Sequence, residues 1–168
     1  MKLLLALLML SFITTKSYSQ ILKITDSIPV TINCIEYGYI LKNEQQKSIK
    51  SDAFARFEVT LYATNKCTCT KLYVDRPSTG FGESPNLLAR FDITNANGKR
   101  LTSKNGKLTV LDFNVPVKVL ENGVEVNRTV KAGYILRSNE TIRTNIIVLV
   151  PIGEKPTITV QPNYIPEM

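Results

Sequence analysis

The chain has 168 residues, of which 43% are hydrophobic and 21% are charged, with 21 Lys and Arg against 14 Asp and Glu. This composition is typical of a globular protein and excludes collagen-like, disordered and multi-span membrane classes. Histidine is absent, and imidazole is the usual general base near neutral pH and the commonest metal ligand. Ser-His-Asp, Cys-His and HExxH chemistry are therefore excluded, and we expect neither an enzyme nor a cofactor.

The first segment, residues 1–19, has the organisation of a secretory signal peptide. A short positive start precedes the apolar residues 3–13, and small residues stand just ahead of an expected cleavage before Gln20. The apolar stretch has 11 residues, whereas a membrane-spanning helix needs about 20. No Cys stands at the cleavage site, the nearest being Cys34. We expect an exported protein, periplasmic or secreted, that is not a lipoprotein and has no transmembrane segment in its mature form.

The mature chain, residues 20–168, is predicted to be a single domain, because about 100 to 150 residues is the commonest domain size. Removing the leader takes away two lysines, so the charge falls from +7 to 19 − 14 = +5. This basic excess is too small to require a polyanionic partner.

Apolar residues recur at every second position through most of the mature chain, which predicts strands with one buried face. The clearest alternation is that of Phe57, Val59, Leu61 and Ala63, and residues 87–93 repeat it. Further strand runs are predicted over 30–41, 72–74, 107–120, 124–136, 141–150 and 157–160. Two stretches without alternation, 42–52 and 75–86, are predicted as loops.

Asn-Gly pairs at 97–98, 105–106 and 122–123 stand between apolar runs and predict hairpin turns, because both residues tolerate a positive φ. About eight or nine short strands with such turns favour an all-β, immunoglobulin-like two-sheet antiparallel β-sandwich over an up-and-down barrel. Tyr37 and Tyr39 in the first long strand are expected to be core and cross-strand partners.

The three cysteines, Cys34, Cys67 and Cys69, are the candidates for disulfide or redox chemistry. Residues i and i+2 of a strand are about 6.5 to 7 Å apart, whereas the Cβ atoms of a disulfide lie about 3.5 to 4.5 Å apart. Two interpretations stay open: a structural disulfide from Cys34 to Cys67 or Cys69, and a redox-active CxC pair whose thiolates are favoured by neighbouring lysines. Because the chain has no His, we expect no dedicated metal site.

The strand after the CxC segment is predicted to bury Leu72 and Val74. Lys71 and Tyr73 then share the opposite face with Cys67 and Cys69, and become candidate binding residues.

Residues 58–74, EVTLYATNKCTCTKLYV, resemble the strand, CxC and strand segment of the CsgC-type periplasmic curli-assembly proteins. The resemblance implies an immunoglobulin-like sandwich with a basic surface that keeps amyloid subunits from polymerising early. It further implies that Cys67 and Cys69 are the matching cysteine pair and that a positively charged sheet face meets the client.

Two further features are candidate binding sites. A basic cluster of four cations surrounds two of the Asn-Gly turns; its members are Lys99, Arg100, Lys104 and Lys107. It suits an acidic glycan or an envelope surface. The alternative is a solvated turn, because charged hairpin tips also block edge pairing. The Gly/Pro/Ser-rich loop 76–85 presents Phe81 between two glycines, either as an exposed binding anchor or as a side chain that folds back onto the core.

The favoured hypothesis is an exported, non-catalytic sandwich that binds another envelope or extracellular protein as a chaperone, inhibitor or assembly component. The alternatives are a thiol-disulfide redox protein that uses the CxC pair, and an acidic-glycan binding module. Export argues against a nucleic-acid partner.

Overall fold

The computed structural model describes residues 22–24, 28–43, 53–75, 84–101 and 106–168. These residues form eleven strands and contain no helix. The strands are β1 (Leu22–Ile24), β2 (Val30–Ile32), β3 (Ile35–Asn43), β4 (Phe54–Asn65), β5 (Lys71–Tyr73), β6 (Leu87–Thr94), β7 (Gly106–Thr109), β8 (Leu111–Glu121), β9 (Val124–Leu136), β10 (Thr141–Pro151) and β11 (Thr157–Pro162). The leader and Phe81 lie outside the described residues.

The strands form three antiparallel sheets. The first has the order β1-β11-β6-β7, the second β10-β4-β3-β2 and the third β5-β9-β8. The prediction of an all-β antiparallel, sandwich-like fold is confirmed. Among the described residues, no helix is long and apolar enough to cross a membrane.

The core lies between the two four-stranded sheets. β4 and β6 alternate buried and half-buried residues as predicted, and Leu61 and Phe91 are completely buried. Gly106, at the start of β7, allows the sheets to approach closely, since a Cβ there would collide with the side chains of Leu61 and Ile146. Tyr37 and Tyr39 are buried, as expected.

The prediction of one strand over 30–41 is wrong, because a two-residue turn divides it into β2 and β3. Asn33 and Cys34 form this turn with φ values of 48° and 62°, and Ile32 pairs with Ile35 across it. Two consecutive positive φ values are typical of a tight hairpin turn. The chain therefore reverses direction at Cys34.

The run predicted over 107–120 is also interrupted. Val110 lies between β7 and β8, which belong to different sheets. Its side chain is buried and its N–H donates to the Asn86 carbonyl at 3.0 Å. Alternation alone does not show where a chain passes from one sheet to another.

The predicted turn at Asn122 and Gly123 is confirmed, with φ values of 51° and 82°. Gly98 also has a positive φ, 76°, in a turn closed by its N–H to the Asn95 carbonyl at 3.0 Å. Asn105 lies outside the described residues. Of the predicted loops 42–52 and 75–86, the described residues are 42–43, which continue β3, and 75 and 84–86, which lie outside the strands.

The prediction that Leu72 and Val74 face the core is wrong. Lys71 and Tyr73 are the buried residues of this segment, whereas Val74 is exposed. The C-terminal residues cause this arrangement, because the Val74 N–H donates to the Pro166 carbonyl and the Met168 N–H to the Leu72 carbonyl, each at 3.0 Å. They pair with β5 as a further short segment.

Candidate functional site

The register of the second sheet brings Cys34 next to the segment that carries Cys67. Ile35 pairs with Asn65 across β3 and β4. One residue further, the Lys66 N–H donates to the Cys34 carbonyl at 2.7 Å. The hairpin turn of β2 and β3 therefore lies beside the connection between β4 and β5, residues 66–70, which contains both other cysteines.

Asn65 fixes the shape of this connection. Its side chain is completely buried, and its carboxamide oxygen accepts the Cys67 N–H at 3.0 Å. Its Nδ2 donates to the Cys69 carbonyl at 3.0 Å, to the Leu136 carbonyl at 3.1 Å and to the Arg137 carbonyl at 3.2 Å. One amide thus joins the CxC segment to the end of β9.

All three cysteines are thiols in the structure; Cys34 and Cys69 are exposed and Cys67 is half-buried. The Cys67 Sγ lies 4.0 Å from the Asn33 carbonyl oxygen. A hydrogen bond between the side chains of Cys67 and Cys34 raises the pKa of Cys67 to about 11, burial adds to the rise and the charge of Lys71 opposes it. Of the two pairings that the sequence leaves open, the geometry favours Cys34 with Cys67, because the Cys67 Sγ lies against the turn of Asn33 and Cys34.

Lys71, at the start of β5, is a buried cation in the same part of the fold. The Lys71 Nζ makes an ion pair with the Glu167 carboxylate at 2.5 Å, and only 8% of the Lys71 side chain is exposed. Burial alone would lower the pKa of Lys71, but the hydrogen bond and charge of Glu167, with smaller contributions from Cys67 and Cys34, raise it. Lys71 is therefore a charged group that interacts electrostatically with both thiols.

Tyr73 completes this group. Its hydroxyl is buried and has no hydrogen-bond partner among the described residues. Burial raises the pKa of Tyr73 above its ordinary value, and the nearby Glu167 and Cys67 raise it further. We call Cys34, Cys67, Cys69, Lys71 and Tyr73 the thiol cluster.

A second candidate site is the distal part of the hairpin formed by β8 and β9, residues 115–121 and 124–130, which we call the ribbon. β8 hydrogen-bonds only to β9, and every residue from 124 to 132 is exposed. The exposed residues include Val124, Val126 and Val130, and clustered apolar side chains at a protein surface often mark an interaction site.

The two faces of the ribbon differ. Residues directly opposite each other share a face, and the pairs Val115 with Val130 and Val119 with Val126 lie on one face. This valine face also carries Val117, Val124 and the ion pair of Arg128 with Glu121. The opposite face carries Pro116, Lys118, Leu120, Glu125, Asn127 and Thr129.

A polar network anchors the base of the hairpin. The Tyr134 hydroxyl donates to the Asp75 carboxylate at 2.6 Å, and the Lys131 Nζ donates to the Tyr134 hydroxyl at 2.9 Å. Lys131 also lies 3.4 Å from the carboxylates of both Asp75 and Asp112. The hydrogen bond from Tyr134 is the main cause that lowers the pKa of Asp75; burial opposes it, and Lys131 lowers the pKa further.

The predicted basic cluster is divided. Lys99 and Lys107 are exposed, whereas Arg100 donates to the Asp92 carboxylate at 2.9 Å. Lys107 lies opposite Arg90, a cation from β6, so register brings in a residue outside the predicted cluster. Lys104 lies outside the described residues.

Sequence reasoning missed Asn65, Glu167 and the anchoring network of Lys131 and Tyr134. Asn65 stands two residues before Cys67, at the end of an alternating run, and a polar amide at that position is the one sequence signal for its role. No local sequence pattern indicates a role for Glu167, because its partner Lys71 is 96 residues away in the chain.

Comparisons with protein-family models, with curated proteins and with solved structures found no match for this chain. Within the described ranges, no group of three or more Cys, Asp or Glu side chains is arranged to hold a metal ion.

Proposed function

We propose that this chain is an exported, non-catalytic binding protein, and that the valine face of the ribbon is where it contacts another exported protein. The observation that carries the proposal is the exposure of that face: Val130 is 47% exposed and Val124 is 63% exposed. Export rests on the leader at residues 1–19, and an amyloid or curli-type client on the resemblance of residues 58–74.

Physical considerations favour a partner over an isolated ribbon. A two-stranded hairpin alone is marginally stable in water, and each valine removed from water on binding contributes about 1.5 to 3 kcal/mol when burial is complete. The six valines, 115, 117, 119, 124, 126 and 130, form one side of a surface that a client can cover.

The charges of the ribbon favour an apolar client over an acidic glycan. Lys118 pairs with Glu125 at 3.0 Å, and Arg128 pairs with Glu121. The ribbon is thus neutral, and its ion pairs lie in solvent, where such pairs contribute at most about 1 kcal/mol. Apolar contact supplies the binding energy, and the charges restrict the ways in which a client docks.

The test compares two double variants on neighbouring cross-strand pairs of the ribbon. Val119→Thr with Val126→Thr makes the valine face polar while keeping β-branched side chains, and Lys118→Thr with Asn127→Thr changes the opposite face. Polymerisation of a curli-type amyloid subunit is followed by thioflavin T fluorescence in the presence of each mature protein. We expect the wild type and the opposite-face variant to prolong the lag phase, and the valine-face variant to lose most of this effect.

Two results would count against the proposal. A wild-type protein that leaves the lag phase unchanged argues against the amyloid client. A valine-face variant that acts as well as wild type, with an unchanged circular dichroism spectrum, shows that the ribbon is not the contact surface.

A further inference from the structure

We propose that Cys34 and Cys67 form a reversible dithiol-disulfide site, in which Cys34 is the attacking thiol and Cys67 the resolving thiol. This pair differs from the CxC pair, since it joins the β2–β3 turn to the connection between β4 and β5. The site is independent of the ribbon and of any client.

The backbone at Cys34 supports a functional role for this residue. It occupies the second position of a tight turn with a φ of 62°, where glycine is strongly preferred and a side chain is strained. Strained residues persist where the surrounding structure holds them, and they concentrate at functional sites. Here the strained turn lies beside the segment that carries Cys67: the Lys66 N–H donates to the Cys34 carbonyl at 2.7 Å, and the Cys67 Sγ lies 4.0 Å from the Asn33 carbonyl oxygen.

Exposure and hydrogen bonding assign different roles to the two thiols. Cys34 is exposed and Cys67 is half-buried, so a disulfide reagent reaches Cys34 first. Cys67 keeps its proton in the contact with Cys34, which holds its pKa at about 11. The Lys71 ammonium interacts electrostatically with both thiols, and a neighbouring positive charge stabilises the thiolate that forms during exchange.

The oxidant is a low-molecular-weight disulfide, R–S–S–R. The Cys34 thiolate attacks one sulfur, forms a mixed disulfide with R–S and releases the first R–S⁻, which takes up a proton. Cys67 then loses its proton to solvent and attacks the Cys34 sulfur, which forms the Cys34–Cys67 bond and releases the second R–S⁻. Two protein thiols lose two electrons in total, and the external disulfide gains them.

Cys69 is not needed for this exchange. Its carbonyl is held by Asn65 and its thiol is exposed, so it stays available to alkylating reagents when the other two cysteines are joined. A Cys69→Ser variant is therefore the matched control.

The experiment uses the reduced mature protein treated with glutathione disulfide, quenched by alkylation and mapped by peptide mass spectrometry. We expect wild type and Cys69→Ser to form a Cys34–Cys67 link at similar rates. Cys67→Ser should accumulate a stable glutathione adduct on Cys34, because no resolving thiol remains. Cys34→Ser should acquire glutathione on Cys67 at least tenfold more slowly. Reduced glutathione should reopen the link in wild type.

Several outcomes would overturn the proposal. A dominant link from Cys69 to either other cysteine, a loss of the link in Cys69→Ser, or glutathione attaching to Cys67 as fast as to Cys34 would each refute it. A link that excess reduced glutathione leaves closed would show a structural disulfide in place of a reversible site. The comparison of wild type with Cys69→Ser decides the pairing even where another variant fails to fold.

Discussion

At the scale of single residues, Asn65 organises the thiol cluster. Its buried side chain makes four hydrogen bonds to backbone groups, including the Cys67 N–H and the Cys69 carbonyl. Buried polar groups that lose their partners cost about 1 to 3 kcal/mol each. The fixed position of the CxC segment depends on this amide.

We expect Asn65→Ala to lower the free energy of unfolding by about 3 kcal/mol, since several buried backbone groups lose their partner at once. Chemical denaturation measures the change. The matched control is Asn145→Ala at an exposed position of β10, which we expect to change stability by less than about 0.5 kcal/mol. Equal effects of the two substitutions would show that the Asn65 amide does not stabilise the fold.

The burial of single residues could be predicted where apolar and polar residues alternate along the chain. It could not be predicted where the burial of a residue depends on a partner that is distant in sequence. Phe57 to Ala63 and residues 87–93 bury the expected sides, because a period of two is a local property. Lys71 is predicted on the exposed face because Leu72 and Val74 are expected to face the core, but Glu167 pairs with Lys71 from the other end of the chain. A charged residue is buried when it has a partner, and the sequence does not reveal that partner.

At the scale of elements, the base of the ribbon hairpin is held by the hydrogen bond from Tyr134 on β9 to Asp75 after β5. The pKa of Asp75 is lowered in the folded state, mainly by this bond. A carboxylate whose pKa is lowered by folding stabilises the fold above its unfolded pKa, and the stabilisation is lost as the pH falls through the folded pKa.

We therefore expect Tyr134→Phe to raise the pKa of Asp75 toward its ordinary value of 3.8, as measured by carboxyl NMR titration. The stability difference between wild type and variant should be largest above pH 3.8 and should shrink at lower pH, where Asp75 is protonated in both. An unchanged Asp75 titration would show that the hydroxyl does not act on this carboxylate. The phenyl ring is retained, so core packing is preserved.

Elements were predicted best where turn chemistry and alternation agree. Asn122 and Gly123 close the hairpin of β8 and β9 at the expected place. The turn at Asn33 and Cys34 was missed because Cys is not a turn residue and the apolar run continues on both sides of it. Strand register could not be predicted from the sequence either, since alternation does not determine which strands pair. Register is what brings the turn of Cys34 beside the segment of Cys67.

At the scale of the whole molecule, the fold separates a packed sandwich from the exposed ribbon. The core contains side chains from β1, β3, β4, β5, β6, β7, β10 and β11 and from the base of β9, together with Val110 and Ile165, whereas residues 124–132 are all exposed. We therefore expect the ribbon to contribute little to the stability of the fold.

Shortening the ribbon tests this separation. Deleting 117–120 together with 125–128 removes four complete cross-strand pairs and keeps the turn at Asn122 and Gly123. Because the number removed from each strand is even, the remaining residues keep their faces. We expect the free energy of unfolding to change by less than about 1 kcal/mol and the melting temperature by less than about 4 °C, with amide exchange in β4 and β6 unchanged. A large loss of stability would mean that the sandwich needs the ribbon. The valine face would then serve the stability of the fold and would not be a free docking surface.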